Sequence, residues 1–111
     1  MAGALALPLA ARAGAVAPAR RQGAVLLHDP SLEAGRLFAQ VGRSAGAEVL
    51  AIEGDRIRFA REVFAARPAY VAGISRQADA VLIEDVAREF GYWREVMSAS
   101  GAVLEWRLVS A

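Results

Sequence analysis

Three short apolar runs, residues 23–28, 47–53 and 70–75, recur along the chain, and the stretches between them carry apolar residues at helical spacing. A short, continuous apolar run between turn residues is typical of a strand that is buried on both faces. Strands that alternate with helices predict a parallel sheet with right-handed crossovers. The pattern therefore predicts a three-layer α/β domain built on a βαβαβα unit.

The intervening stretches also contain residues that start and end helices. Asp29-Pro30 predicts a helix start, since Asp is a good N-cap and Pro suits the first helical position. Asp55 and Ser75 are the predicted caps of the second and third helices, and Pro68 is expected to end the second. The apolar stripes predicted for the three helices are Leu37, Phe38, Val41 and Ala45; Ile57, Ala60, Val63 and Phe64; and Leu82, Ile83, Val86, Ala87 and Phe90.

After Gly91 the apolar residues change from helical spacing to alternation. Residues 93–98 and 102–109 are strand-like, and residues 99–101 form a connection of hairpin length. In the second run Leu104, Trp106 and Leu108 share one face, opposite a more polar one. We expect this C-terminal β-hairpin to close a mostly parallel sheet of order 2-1-3-4-5, with strand 5 antiparallel at the edge.

The hairpin is also rich in aromatic residues. Tyr92, Trp93 and Trp106 lie within or beside its strands. We expect one of them to pack on the third helix near Phe90 and complete the core. If an aromatic residue of the hairpin is instead exposed to solvent, the hairpin would be an interaction edge that pairs with a second copy of the chain or with another protein.

Residues 1–22 differ from the remainder, which we treat as one domain over residues 23–111. The segment is rich in Ala and Leu, and Pro8, Arg12 and Pro18 make it a poor transmembrane helix. Residues 2–11 resemble the latter part of a bacterial twin-arginine or Sec signal peptide, with small-x-small cleavage sites ending at Ala13 and Ala19. The arginine pair of such a signal would lie upstream of Met1. The resemblance implies a periplasmic or secreted protein; the alternative is a disordered Ala-rich tail.

Composition and charge exclude several functions. The chain has no cysteine, and all 13 of its basic residues are arginine. These absences exclude disulfides, Cys-type zinc sites, thiol catalysis and lysine chemistry. The net charge is +1 and charges of both signs are interspersed, so there is no basic stripe of the kind that nucleic-acid binding needs. The sequence predicts no cofactor.

The predicted topology indicates where a site would lie. Ligands of open α/β sheets bind at the carboxyl ends of the strands, near the point where the strand order reverses, and helix N-termini there favour anions. The polar residues at this edge are His28, Asp29, Ser31, Glu53, Asp55, Ser75, Arg76 and Gln77. A small anionic or polar ligand is therefore the predicted partner, with Arg76 able to hold a carboxylate or phosphate through two hydrogen bonds.

Each of these residues also has a structural explanation. Asp29 and Asp55 suit N-caps, Arg76 suits an ion pair with Asp29, Asp55 or Asp79, and a single histidine is commonly a hydrogen-bonded structural residue. His28 with Asp29 and Glu53 offers one nitrogen and two carboxylates to a metal, but no ligand spacing supports a metal site. We therefore predict neither a metal ion nor a catalytic residue.

The absence of several known sequence motifs excludes further classes of protein. The residues after the first strand match neither G-x-G-x-x-G nor a Walker loop, and no G-x-S-x-G elbow occurs. Four segments resemble a group of small, exported, uncharacterised bacterial α/β proteins: residues 28–30, 53–56, 71–75 and 104–106. This resemblance implies the fold and export but no activity. The first βα unit is also similar to the opening lobe of periplasmic sugar-type binding proteins, which need a second lobe to close over a ligand.

Three functions remain after these exclusions. The first is a non-catalytic periplasmic binding or accessory domain that recognises a small polar or anionic ligand at the strand ends. The second is a structural or interaction module that uses the aromatic hairpin. The third is a small hydrolase or metal-dependent enzyme built on His28 and the neighbouring acids.

Overall fold

A computed structural model of the protein describes residues 21–110, with side chains from residue 23 onward. The predicted signal segment and its cleavage sites therefore lie outside the described residues, apart from the backbone of residues 21 and 22. The elements in chain order are β1 (Arg21–His28), α1 (Glu33–Ser44), β2 (Glu48–Ala51), α2 (Arg56–Ala65), β3 (Pro68–Arg76), α3 (Gln77–Glu89), β4 (Tyr92–Ser100) and β5 (Val103–Ser110). The α/β class and the βαβαβα-hairpin sequence of elements are thus as predicted.

The sheet differs from the prediction in the order and direction of its strands. Its five strands are arranged β2-β1-β3-β5-β4, and the sheet is mixed. The β2–β1 and β1–β3 pairs are parallel, whereas the β3–β5 and β5–β4 pairs are antiparallel. The predicted order 2-1-3-4-5, the mostly parallel sheet and the placement of strand 5 at the edge are therefore wrong.

The burial of the two hairpin strands explains why β5 occupies the inner position. Trp106 and Leu108 of β5 are fully buried, while most of β4 is exposed. An apolar strand placed beside β3 buries its large side chains against α3, which a strand at the edge could not do as completely. Trp106 pairs with Gly73 of β3, where the absence of a side chain makes room for the indole ring.

The main core lies between the sheet and α2 with α3. Its largest buried members are Phe64, Ile83, Tyr92, Trp106 and Leu108, together with Leu27 of the central strand. Tyr92 packs against Phe64 with 4.9 Å between ring centroids, and Phe64 in turn lies beside Phe90. The prediction that a hairpin aromatic completes the core near Phe90 is confirmed, and two residues, Tyr92 and Trp106, take this role.

Helix α1 covers the other side of the sheet and makes it the middle of three layers. Side chains alternate along β1, so Leu26 points away from the core that holds Val25 and Leu27, and towards Gly42 of α1. The residues of α1 that face the sheet are Gly35, Ala39 and Gly42. The predicted stripe is wrong in part, since Leu37 and Val41 are 55% and 69% exposed. Small residues let α1 approach the sheet closely, and Leu37 and Val41 point outward.

The layer formed by α1 is incomplete. The helix packs on β1, β2 and β3, and the side chains that β5 and β4 present on this side are exposed or only half-buried. We call this surface of β3, β5 and β4 the open face. Its members include Ala72, Trp93, Val96, Glu105 and Arg107, which the strand registers place on one side of the sheet.

Candidate strand-end site

Asp29 and Ser31 form a compact turn directly after β1. The backbone N–H of Asp29 donates to the carbonyl oxygen of Ile74 at 3.0 Å, which fixes the turn against β3. Oδ1 of Asp29 accepts from both the backbone N–H and the hydroxyl of Ser31, at 2.8 and 2.7 Å. Asp29 is buried, at 6% exposure, so its carboxylate is held in one orientation at the carboxyl edge of the sheet.

Arg76 reaches this turn from the end of β3. Its Nε lies 3.6 Å from Oδ2 of Asp29, and one terminal nitrogen lies 3.4 Å from the hydroxyl oxygen of Ser31. Both contacts are long for charged hydrogen bonds, and the Arg76 side chain is 54% exposed. The guanidinium is therefore only loosely held and can offer donors to a ligand. Of the ion-pair partners that the sequence suggested for Arg76, the structure selects Asp29.

A second and tighter ion pair lies at the same edge. Nε of Arg56 is 2.8 Å from Oδ1 of Asp79, and a terminal nitrogen of Arg56 donates to the carbonyl oxygen of Gly54 at 2.8 Å. From the sequence, Arg56 had no predicted role in the site, and Asp79 was one of three possible partners for Arg76. The sequence feature that could have indicated this pair is the position of each residue in the first turn of a helix that follows a strand. This pair joins the starts of α2 and α3, and its Arg56 also acts on Asp29 electrostatically.

The pKa of Asp29 is lowered by these surroundings. Burial acts in the opposite direction and raises the pKa, but the Ser31 hydrogen bonds and the charges of Arg76 and Arg56 outweigh it. The folded chain therefore stabilises the ionised carboxylate more than the unfolded chain does. Asp29 adds stability above its unfolded-state pKa, and this contribution is lost as the pH falls through its folded-state pKa.

Replacing Asp29 by asparagine is expected to destabilise the protein in a pH-dependent way. Near pH 7 we expect the free energy of unfolding to fall by about 1–2 kcal/mol, since the charged hydrogen bonds are lost. Urea unfolding at a series of pH values should show this difference shrinking once the pH falls below about 3.9, the ordinary pKa of an unfolded aspartate, and vanishing below the lowered folded-state pKa of Asp29. Asp85→Asn is the matched control, because Asp85 is 60% exposed and its pair with Arg88 lies on the surface of α3. A difference that is constant with pH would contradict the assigned ionisation of Asp29.

His28 is the last residue of β1 and is buried, at 5% exposure. Alternation along β1 places it on the side of the sheet that α1 covers. Its two ring nitrogens have no hydrogen-bond partner. Burial lowers the pKa of His28, and Arg43 lowers it further, against the opposing effects of Asp29 and Glu53. The imidazole is therefore neutral near pH 7, and little of it is accessible from the carboxyl edge.

The other predicted residues do not join the cluster through side-chain contacts. Asp55 is the N-cap of α2, as predicted, and accepts from the backbone N–H groups of Ile57 and Arg58. Glu53 and Gln77 are exposed residues beside the starts of α2 and α3. Ser75 points to the opposite side of β3, where its hydroxyl oxygen accepts from Nε1 of Trp106 at 3.0 Å. The structure thus brings together Asp29, Ser31 and Arg76 from the predicted set.

Two of the predicted helix caps are wrong. The N-cap of α1 is Leu32, because Asp29-Pro30 forms a turn before the helix and uses the Asp29 carboxylate for Ser31. The N-cap of α3 is Arg76, because Ser75 belongs to β3 and donates to the carbonyl oxygen of Arg76. Neither helix has a side-chain cap. Their first backbone N–H groups are thus not occupied by a capping side chain, which favours an anion at this edge.

Other features of the described residues do not form a competing site at the strand ends. Between residues 21 and 110, no group of three or more His, Asp or Glu side chains is arranged to hold a metal ion. One cavity of about 280 Å³ lies below α2, away from the cluster, and is lined by Val25, Glu48, Leu50, Phe59, Glu62 and Val63. Its two carboxylates make it unsuited to an anion.

Comparison of the chain with protein-family models, with curated proteins and with solved structures finds no match. Over the part of the chain that the structure describes, no helix has the length and apolar character that crossing a bilayer requires.

Proposed function

We propose that the protein is a non-catalytic periplasmic binding or accessory domain that recognises a small anionic ligand at the carboxyl ends of β1 and β3. The observation that carries the proposal is the loosely held, half-exposed guanidinium of Arg76 beside two helix starts that lack side-chain caps. A planar guanidinium matches a carboxylate or phosphate through two parallel hydrogen bonds. The periplasmic location rests on the likeness of residues 1–22 to an export signal.

The Asp29 carboxylate supports this proposal, because it occupies the place on the Arg76 guanidinium that a ligand anion would take. Its Oδ1 is occupied by Ser31, and only Oδ2 faces the guanidinium, at 3.6 Å. An incoming anion can replace this long contact without disturbing the turn that holds Asp29. In the ligand-free protein, the same contact keeps Arg76 close to the edge of the sheet, so that less side-chain freedom is lost on binding.

A hydrolase is less well supported than a binding domain. Within residues 21–110 neither serine at this edge is hydrogen-bonded to His28, since Ser31 donates to Asp29 and Ser75 contacts Trp106. A nucleophile needs a base within hydrogen-bond reach. The site thus offers a place to bind an anion and no activated nucleophile.

Replacing Arg76 by alanine tests the proposal. We expect inorganic phosphate or citrate to raise the melting temperature of the wild-type protein relative to chloride at equal ionic strength. At an anion concentration of one hundred times Kd the stabilisation should be about 2.7 kcal/mol, and Arg76→Ala should abolish it. Arg76→Lys should restore little, because an ammonium group cannot reproduce the planar fork.

Two further variants control this experiment. Arg61→Ala removes an exposed arginine that pairs with Glu89 on the α2–α3 side, so the anion effect should persist in it. Asp29→Asn removes the competing carboxylate and should tighten anion binding up to about fivefold, even though it destabilises the fold. An anion effect of equal size in wild-type and Arg76→Ala protein would disprove binding at this edge.

A further inference from the structure

The cavity below α2 lies beside β2, an edge strand of the sheet. Helices α1 and α3 approach the strands closely, whereas α2 lies farther from the sheet, so side chains do not fill all the space beneath it. The buried Val25 and Val63 form the floor of the cavity, and the half-buried Leu50 and Phe59 form its apolar walls. Its volume of about 280 Å³ is close to the lower end of the range for ligand-binding pockets, about 300–1,000 Å³.

Each side of the cavity carries a glutamate at an inward-facing position. The register pairs Glu48 of β2 with Val25, so Glu48 projects on the side of the sheet that α2 covers. Glu62 lies three residues after Phe59 and therefore on the same face of α2. An apolar side chain at either position would extend the core across the mouth of the cavity. Acidic residues at positions where the pattern favours apolar ones are typical of a functional site.

The two glutamates give the mouth of the cavity a negative charge. Both are exposed, and none of the residues that line the cavity is basic. Among residues 21–110, no side chain pairs with the Glu62 carboxylate, and the neighbouring Arg61 pairs with Glu89 of α3 instead. An apolar interior with carboxylates at its mouth is complementary to a molecule that carries a positive charge on an apolar body.

We propose that this cavity binds a small organic amine, with the apolar body between Leu50 and Phe59 and the ammonium group at the mouth beside Glu48 and Glu62. An ammonium group has three donors and can therefore bond to both carboxylates at once. Because the glutamates lie at the mouth, they keep part of their contact with water when the amine binds. This exposure limits the desolvation cost that a fully buried ion pair would carry.

An uncharged apolar ligand is the less favourable occupant. It would contact the walls of the cavity equally well, but it would displace water from Glu48 and Glu62 without replacing the lost hydrogen bonds. An anion would in addition be repelled by both carboxylates. The charge at the mouth therefore selects a cation among ligands of the same size.

The cavity is separate from the strand-end site. Val25 lies four residues before Asp29, about 13 Å along β1, and no residue lines both places. The strand-end site offers the guanidinium of Arg76, whereas the cavity offers carboxylates. The two sites thus favour ligands of opposite charge, and the amine site does not depend on the proposed anion site.

Calorimetric titration of the full chain with phenethylamine hydrochloride tests the proposal. This amine carries one aromatic ring and is a cation at neutral pH. We expect saturable binding with a Kd of about 0.1–1 mM, as suits a ligand of this size. 2-Phenylethanol, which has a hydroxyl in place of the ammonium group, should bind at least about tenfold more weakly. Arg76→Ala, which removes the proposed anion site, should leave the affinity for the amine unchanged.

Substitution of the two glutamates tests the role of the charge. Glu48→Gln and Glu62→Gln should each weaken amine binding about three- to tenfold, and the double variant should weaken it further. Their affinity for 2-phenylethanol should not fall, which separates the loss of charge from damage to the cavity. Asp85→Asn is the matched control, because it removes an exposed carboxylate of α3 that lies outside the cavity.

Amide chemical shifts of the isotope-labelled protein locate the bound amine. We expect the changes to centre on residues 48–50 and 59–63. Three results would each overturn the proposal: no saturable binding up to about 10 mM, unchanged affinity in the double variant, or changes centred on Arg76 and Asp29. Equal affinity for phenethylamine and 2-phenylethanol would also overturn it, and would indicate that the cavity takes an uncharged ligand.

Discussion

Replacing Trp106 by alanine is expected to lower the free energy of unfolding by about 3–5 kcal/mol, a large part of the stability of a domain of this size. Trp106 is 3% exposed and lies between β5 and α3 in the main core. Its Nε1 donates to the hydroxyl oxygen of Ser75, so truncation removes both the packing and a buried hydrogen bond. Chemical denaturation followed by circular dichroism measures the loss.

Trp93 provides the matched control for this substitution. It lies in the same hairpin but is 48% exposed, so Trp93→Ala should change the stability of the monomer by less than about 1 kcal/mol. Similar losses for the two variants would contradict the burial assigned to Trp106.

Gly73→Ala is expected to cost about 2–3 kcal/mol through steric overlap with the same indole ring. An added Cβ at position 73 would collide with Cη2 and Cζ2 of Trp106. Neither group can move freely, because Gly73 lies in the middle of β3 and Trp106 is enclosed between β5 and α3. Urea unfolding of the single variant measures the cost.

Two comparisons test the mechanism of this loss. Gly42→Ala introduces the same methyl group beside Cδ1 of Leu26, the far end of a flexible side chain, and beside Cγ2 of Val49, and it replaces a glycine inside α1. The gain in helix propensity of about 1 kcal/mol should offset the contact, so the net change should be small. In a Trp106→Phe background, Gly73→Ala should cost less, because the smaller ring lacks the colliding atoms. Additive effects of the Gly73 and Trp106 substitutions would show that the two residues are not in contact.

The sequence could place the candidate residues at one edge of the sheet, but it could not predict which of them contact one another. The order of apolar runs and helix signals was enough to place His28, Asp29, Ser31 and Arg76 at one edge. Which acid pairs with Arg76 depends on how far the ends of β1 and β3 extend relative to each other. The register that pairs His28 with Ile74 sets this alignment. Ser75 was predicted to join the site because it comes at the end of the third apolar run, and only the three-dimensional structure shows that its hydroxyl is turned to Trp106 on the other side of the sheet.

The identity of the secondary-structure elements was determined by the sequence itself. Continuous apolar runs, alternation in β5 and the Asp55 cap depend on neighbours within four residues along the chain, so a local pattern is enough to specify them. The tertiary structure decided the strand order and the face that α1 turns to the sheet. Both depend on shape complementarity between distant segments: Trp106 fits over Gly73, and Gly42 permits close contact with Leu26. The same packing leaves Leu37, Val41 and the open face uncovered, because small residues that bring a helix close also turn its larger residues outward.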